Sequence, residues 1–263
     1  MEASKRDLSK LWPFAPQKSD LNTDTNLLKL IAMLTMFIDH AGKMLFPQYP
    51  IMRIIGRMAF PIYAYCIAVG CVYTKDHLKY FKRIVLLALV SQPFYAVALG
   101  HETTAMYAVS FESQPIMAVL NFYVQSWAKP NILLSLSAGM LIIWAIRKRE
   151  ILLVLALALL YWKLQAKLDY GIRGIMLMVL FYLFCGKWWI SLPALVCYMA
   201  WWGLKGTGYT AFDVRFGIQM FAMMALPLIY IRTKSKLRIN KWLFYFFYPA
   251  HLILIMAWDR FLI

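Results

Sequence analysis

Long apolar runs separated by short polar segments set the pattern of this chain. From about residue 27 onward the runs approach the length needed to cross a hydrocarbon layer about 30 Å thick at 1.5 Å of rise per residue. They fall near 27–46, 54–73, 81–99, 131–146, 151–164, 171–185, 188–204, 212–231 and 242–262, which predicts about nine helical spans. The runs are unbroken rather than alternating, so the prediction is an all-α polytopic membrane bundle and not an outer-membrane barrel. The runs at 151–164 and 171–185 are short and are expected to tilt or to be partly re-entrant.

Residues 1–26 are polar and mixed in charge. Pro13 and Pro16 break any long helix there, and Trp12 and Phe14 could anchor the stretch at the interface. It reads as a cytosolic N-terminal arm ahead of a single transmembrane domain over 27–263, without the charged, apolar and cleavage-site order of a removable signal peptide. The one long connection, Gly100 to Pro130, holds Phe111, Ile116, Met117, Val119, Leu120, Phe122, Tyr123 and Trp127. That is too apolar for a free loop and predicts an interfacial or re-entrant helix near 115–127. Such a helix either roofs a cavity or simply lies on the membrane.

Composition sharpens this picture. The chain has 263 residues and is 62% hydrophobic, more than a soluble domain of this size needs. Its formal net charge of +16 comes from 28 Lys and Arg against 12 Asp and Glu. The basic residues sit mostly between apolar runs, where they set topology and meet anionic lipid, so nucleic acid is not an expected partner. With the N-terminus inside, one side collects Lys75, Lys79, Lys82 and Arg83, then Arg147, Lys148 and Arg149, then Arg232 to Lys241. The positive-inside rule makes that side cytosolic and, with an odd number of spans, puts the C-terminus outside. The four cysteines form no Cys-x-x-Cys pair and read as small buried residues, with no structural zinc site or disulfide framework.

Against this apolar background the polar residues stand out. Asp39 and His40 adjoin each other inside the first run, and ionisable residues at that depth are expensive unless they face protein or water. On the expected topology Arg53, Arg57, Asn131, Asp169, Tyr170 and Arg173 gather in the same outer half, with Tyr248 and His251 nearer the middle of the last span. Adjacent helical residues differ by about 100° in direction, so Asp39 and His40 should each find a partner on another helix. Arg57 can grip the Asp39 carboxylate in a fork. His40 is then free to act as a base or to hold a substrate group, and His251 can be a second base or can orient the first. A metal held by Asp39, His40 and His251 lacks a tight spacing motif and ranks below acid–base work. His77 and His101 fall in connections and read as solvated bystanders.

Five segments, taken in order, resemble the TraX family. They are Leu28 to His40, Ile55 to Ala64 with its Gly56-Arg57, Pro130 to Leu134, Asp169 to Gly174, and Phe247 to Leu252. The resemblance extends over nearly the whole chain after the arm. It implies a polytopic protein of the bacterial cytoplasmic membrane that moves an acetyl group from cytosolic acetyl-CoA to an acceptor, which for the family's namesake is the N-terminal amine of a conjugative pilin. The family's motif positions here are Asp39, His40, Gly56, Arg57, Asn131, Tyr170, Gly171 and His251. Gln92 departs from the pattern, since many relatives carry glutamate before the proline.

The expected function is therefore an acetyl-CoA-dependent N- or O-acetyltransferase. Asp39, His40, Arg57, Asn131, Tyr170 and His251 form its expected site, with His40 or His251 as base and Arg57 or Asn131 steadying the oxyanion. The phosphates of CoA are expected among Lys75, Lys79, Lys82, Arg83, Arg147, Lys148 and Arg149, although the positive-inside rule alone accounts for those residues. The acceptor is a protein N-terminus, a sugar or a small amine. The alternatives are a proton- or cation-coupled transporter using Asp39 and His40 as a relay, and a non-catalytic membrane scaffold.

Overall fold

The computed structural model describes residues 18–164 and 168–262. The proposed interfacial anchors Trp12 and Phe14, with Pro13 and Pro16, lie outside the described residues. The helices in chain order are α1 (Thr25–Met44), α2 (Pro50–Gly56), α3 (Ala59–Tyr73), α4 (His77–Ala98), α5 (Pro115–Ser126), α6 (Ile132–Lys148), α7 (Ile151–Leu164), α8 (Gly171–Phe184), α9 (Trp188–Leu204), α10 (Leu226–Tyr230) and α11 (Lys241–Leu262). Among the described residues, three stretches are long and apolar enough to cross a membrane: Pro50–Tyr73, His77–Ala98 and Trp242–Arg260. Helices α7, α8 and α9 are apolar but shorter. Helix α1 has the length, but it carries Lys29, Asp39 and Lys43.

Helix α3 is the hub. It is apolar on every side, and Ile62, Ala64, Tyr65 and Ala68 are wholly buried, as expected for a helix enclosed by others. It packs against α1, α6 and α8, while α4 packs against α6 and α11, and α11 returns to α1. The start of α1 is tied down rather than trailing. Ser19, Leu21 and Asn22 are buried, Asn22 donates to the Leu228 carbonyl at 2.9 Å, and the Tyr65 hydroxyl donates to the Asn22 carbonyl at 2.6 Å. The stretch read as an arm therefore ends inside the packed body.

Two departures from the apolar pattern shape the site. The run at 54–73 begins earlier, at Pro50, and breaks at Arg57 and Met58 between α2 and α3. The run at 212–231 is not one helix. It opens as a hairpin of β1 (Tyr209–Ala211) and β2 (Val214–Phe216), paired antiparallel with Thr210 opposite Arg215. Phe212 and Asp213 both take positive φ at its tip. A 3₁₀ segment, Ile218–Ala225, then leads into α10, with Pro227 near its start. Gly206 and Gly217 touch so closely that a Cβ on Gly217 would lie 2.7 Å from the Gly206 Cα, and this fixes the turn. The apolar residues here pack on α2, α3 and α9 instead of forming a long rod.

The helix expected near 115–127 is α5. Its Ile116, Met117, Val119, Leu120 and Val124 are exposed, so its apolar face is turned away from the body.

Candidate functional site

Helix α1 sends its two adjoining titratable residues in different directions. Asp39 turns to α2. Arg57 grips both of its carboxylate oxygens through Nη2, and Arg53 Nη1 reaches Asp39 Oδ2 at 2.8 Å and the Asp39 carbonyl at 3.1 Å. The side chains of Arg57 and Asp39 are only 8% and 10% exposed, so this is a buried ion pair. The helix break makes the grip possible, because it frees the Arg53 carbonyl to accept from Arg57 Nε at 3.3 Å. Gly56 also permits it: a Cβ there would lie 2.2 Å from the Asp39 Cβ. Gly56→Ala is accordingly expected to push α2 off α1 and cost ~1–3 kcal/mol, the usual range for overpacking. A thermal unfolding midpoint equal to that of the unaltered protein would contradict this.

His40 turns to α11. Its Nδ1 lies 2.9 Å from His251 Nε2, and the two rings are 19° from parallel. His251 Nδ1 lies 2.9 Å from the Phe247 carbonyl, one turn back on α11. A carbonyl only accepts, so His251 Nδ1 carries the proton and, in the neutral ring, Nε2 is an acceptor. His40 Nδ1 is then the donor, which leaves the lone pair on His40 Nε2. That nitrogen has no hydrogen-bond partner among the described residues. His251 is 3% exposed and stacks on Phe247 at 5.0 Å, so it is held in place behind His40.

Tyr170 caps the start of α8 with φ +57°, a left-handed conformation that a tyrosine adopts at a cost. Its ring stacks on Phe60, with centroids 4.1 Å apart, and meets Trp202 edge-on at 5.9 Å. Arg57 Nη1 donates to its hydroxyl oxygen at 3.2 Å. That bond uses the oxygen and leaves the tyrosine O–H free to donate. Beside it, the Asp169 carbonyl accepts from Ser135 at 2.8 Å, and Asp169 Oδ2 accepts from Tyr95 at 3.4 Å.

Asp39, His40, Arg57 and Tyr170 line one cavity of about 710 Å³. Its wall runs along α1 from Lys29 to Lys43, a distance of roughly 21 Å at helical rise. His251 stands just behind that wall. Asn131 is elsewhere: it is wholly buried and caps α6. Its amide donates to the Ala88 carbonyl at 2.8 Å and accepts from Leu133 N at 3.1 Å. Its backbone N–H donates to Gln92 Oε1 at 2.9 Å, while Gln92 Nε2 donates to the carbonyls of Ser126 and Lys129. Gln92 both donates and accepts here, which an ionised carboxylate could not do. The two amides clasp the end of α5 and the start of α6 to the middle of α4.

Lys75, Lys79, Lys82, Arg83, Arg147, Lys148 and Arg149 do not line the cavity. Arg147 instead donates to the Cys71 carbonyl at 2.7 Å, closing the end of α3. Among the described residues no three His, Cys, Asp or Glu side chains converge as metal ligands would. Residues that the sequence reading missed also line the cavity: Lys43, Tyr95, Lys129 and His101. His101, read as a solvated bystander, is half-buried, and burial followed by Lys43 and Lys129 pushes its imidazole down to about 4. Its position in a connection hid it, since nothing local in the sequence shows that the connection folds back over α1.

Comparison with known proteins agrees with the segments quoted above. A family model described as TraX protein matches residues 24–258. The probable fimbrial assembly protein FimC, serogroup H1, of Dichelobacter nodosus is 25% identical over 258 residues, covering 89% of this chain and 95% of that protein. An uncharacterized protein of Rickettsia prowazekii (strain Madrid E) is 50% identical over 40 residues, covering 15% of this chain and 16% of its own length. No solved structure matches. The model match runs from the first helix through the His251 segment and takes in every residue of the site, and the chain belongs to the TraX protein family.

Proposed function

We propose that this chain is a multi-pass membrane acetyltransferase that transfers an acetyl group from acetyl-CoA to an amine or hydroxyl acceptor, with its N-terminus in the cytosol of a bacterial cell. The observation that carries the reading is the tautomer chain from Phe247 through His251 to His40, which leaves a basic nitrogen bordering a large cavity. The cavity extends along α1 from Lys29 past His40 to Lys43, roughly 21 Å at helical rise, a length that suits an extended thioester arm.

Acetyl-CoA supplies an activated acyl carbon as a thioester. His40 Nε2 takes the acceptor proton as the acceptor nitrogen or oxygen bonds to that carbon. The positive charge gained by His40 is shared through Nδ1–H with His251 Nε2. The Tyr170 hydroxyl, polarised by Arg57, donates to the carbonyl oxygen as negative charge develops there. His40 then returns its proton to the departing sulfur as the carbon–sulfur bond breaks. Four of the five Arg57 N–H groups are taken by Asp39, Tyr170 and the Arg53 carbonyl, and in this reading it acts through Tyr170.

The basic residues at Lys75–Arg83 and Arg147–Arg149 remain proposed contacts for the phosphates outside the cavity. A fimbrial assembly relative favours a protein N-terminus as acceptor. The transporter reading has less support, because the hydrogen-bonded chain from His40 ends at a backbone carbonyl that cannot pass a proton on. Purified protein is expected to gain thermal stability from acetyl-CoA and to release free thiol when an acceptor amine is supplied. Neither response at millimolar acetyl-CoA would remove the proposal, and proton flux into liposomes without it would replace it.

A further inference from the structure

Two cations close to His40 make no direct ion pair. Four cations, Lys43, Lys129, Arg53 and Arg57, share two carboxylates there: Asp39 is taken by Arg57 and Arg53, and Asp169 is within electrostatic reach of Lys129 and Arg57. Lys43, one turn beyond His40 on α1, is half-buried and donates to the Leu99 carbonyl at 2.7 Å and to His101 Nε2 at 3.5 Å. Lys129 stands exposed on the rim of the same cavity. Among the described residues neither lysine has a carboxylate oxygen within 4.0 Å. Lys43 feels the repulsion of Lys129 and Arg53, offset only in part by Asp169 and Asp39. Like charges gathered around a partly buried cavity are unfavourable unless an anion joins them.

We infer that Lys43, Lys129 and Arg53 form a subsite for an oxyanion, a carboxylate or phosphate, carried by the acceptor one helical turn from His40. The acceptor is then an amine or alcohol with an acidic group a few bonds from the reacting atom. The word acceptor rests on the acetyltransferase reading, but the anion site does not. Three ligand chemistries would meet these cations: the acceptor's acid, a phosphate of CoA and a lipid headgroup.

The test is the thermal unfolding midpoint of the full-length protein in detergent, with inorganic phosphate or acetate against chloride at matched ionic strength. Phosphate is expected to raise the midpoint. In the Lys43→Gln/Lys129→Gln variant its apparent affinity should fall at least about tenfold, as loss of charge-assisted hydrogen bonds implies, while the shift given by acetyl-CoA persists. Lys129→Gln alone, at an exposed position, gives a weaker form of the same loss if the double variant does not fold. No shift in the unaltered protein, or an equal shift in the variants, overturns the inference. Loss of the acetyl-CoA shift together with the phosphate shift also overturns it, and reassigns the lysines to the donor. A rise with phosphatidylglycerol vesicles but not with phosphatidylcholine vesicles or soluble phosphate overturns it in favour of a lipid headgroup. Because this readout is binding, it stands or falls separately from turnover by His40.

Discussion

His40→Ala is expected to abolish acetyl transfer, with a loss on the order of 10²–10⁴-fold, the range a positioned base supplies. The change removes the one ring nitrogen that, among the described residues, borders the cavity with its lone pair unused. It also leaves His251 Nε2 without its donor in a buried position, which costs ~1–3 kcal/mol. The measurement is thiol release by reconstituted protein with an acceptor amine, normalised to the folded fraction, so that a stability loss is not read as a chemical one. His251 gives a finer test, because its role is to accept the His40 Nδ1–H. His251→Gln keeps an amide oxygen that can accept that bond, and it should retain more activity than His251→Ala. Near-normal turnover by His40→Ala would mean that the acceptor reacts as an already neutral amine without a protein base. A Gln variant no better than Ala would mean that His251 does more than orient its neighbour.

Much of this site was legible because charge is so costly at membrane depth. Asp39, His40 and Arg57 interrupt apolar runs, and opposite charges there must find each other. The 100° between neighbours on a helix also predicted that Asp39 and His40 would take separate partners. What the sequence hid falls into three physical kinds. Hydropathy cannot tell a helix break from a single charged residue within a span: Ile54, Ile55 and Met58 keep the run at 54–73 apolar on both sides of Arg57, so the turn that aims Arg57 was invisible. Nor does it separate a span from a hairpin rich in aromatic residues, as at Tyr209, Phe212 and Phe216, where positive φ at Phe212 and Asp213 and the contact of Gly206 with Gly217 decide the outcome. Finally, an amide looks the same in sequence whether it clasps helix ends or steadies an oxyanion. Asn131 was offered, as the alternative to Arg57, for the second, and its amide is found in the first, with Gln92 as its counterpart. Lys43 and Lys129 were missed for a related reason, since a lysine at the end of a run reads as a topology signal until the fold shows what surrounds it.

Asp39→Asn is expected to destabilise the protein by ~3–5 kcal/mol, the cost of breaking a buried ion pair by removing one partner. The shape of the side chain barely changes, so the effect isolates the charge. Arg57 would be left nine-tenths buried with no carboxylate, and its remaining partners, the Tyr170 hydroxyl and the Arg53 carbonyl, are neutral. Arg53 suffers less, because its side chain is 28% exposed and can draw on water. The pair itself need not add stability over an uncharged pair of similar size, since desolvation offsets much of the attraction. Removing both charges together separates these effects. Asp39→Asn/Arg57→Gln should recover most of the unfolding midpoint lost by Asp39→Asn, yet it should stay impaired in acetyl transfer, because the Tyr170 hydroxyl would lose the cation that polarises it. If the double variant is no more stable than the single one, the penalty comes from lost packing between α1 and α2 rather than from a stranded charge. If it is both stable and fully active, Arg57 serves the fold alone and Tyr170 needs no help from it.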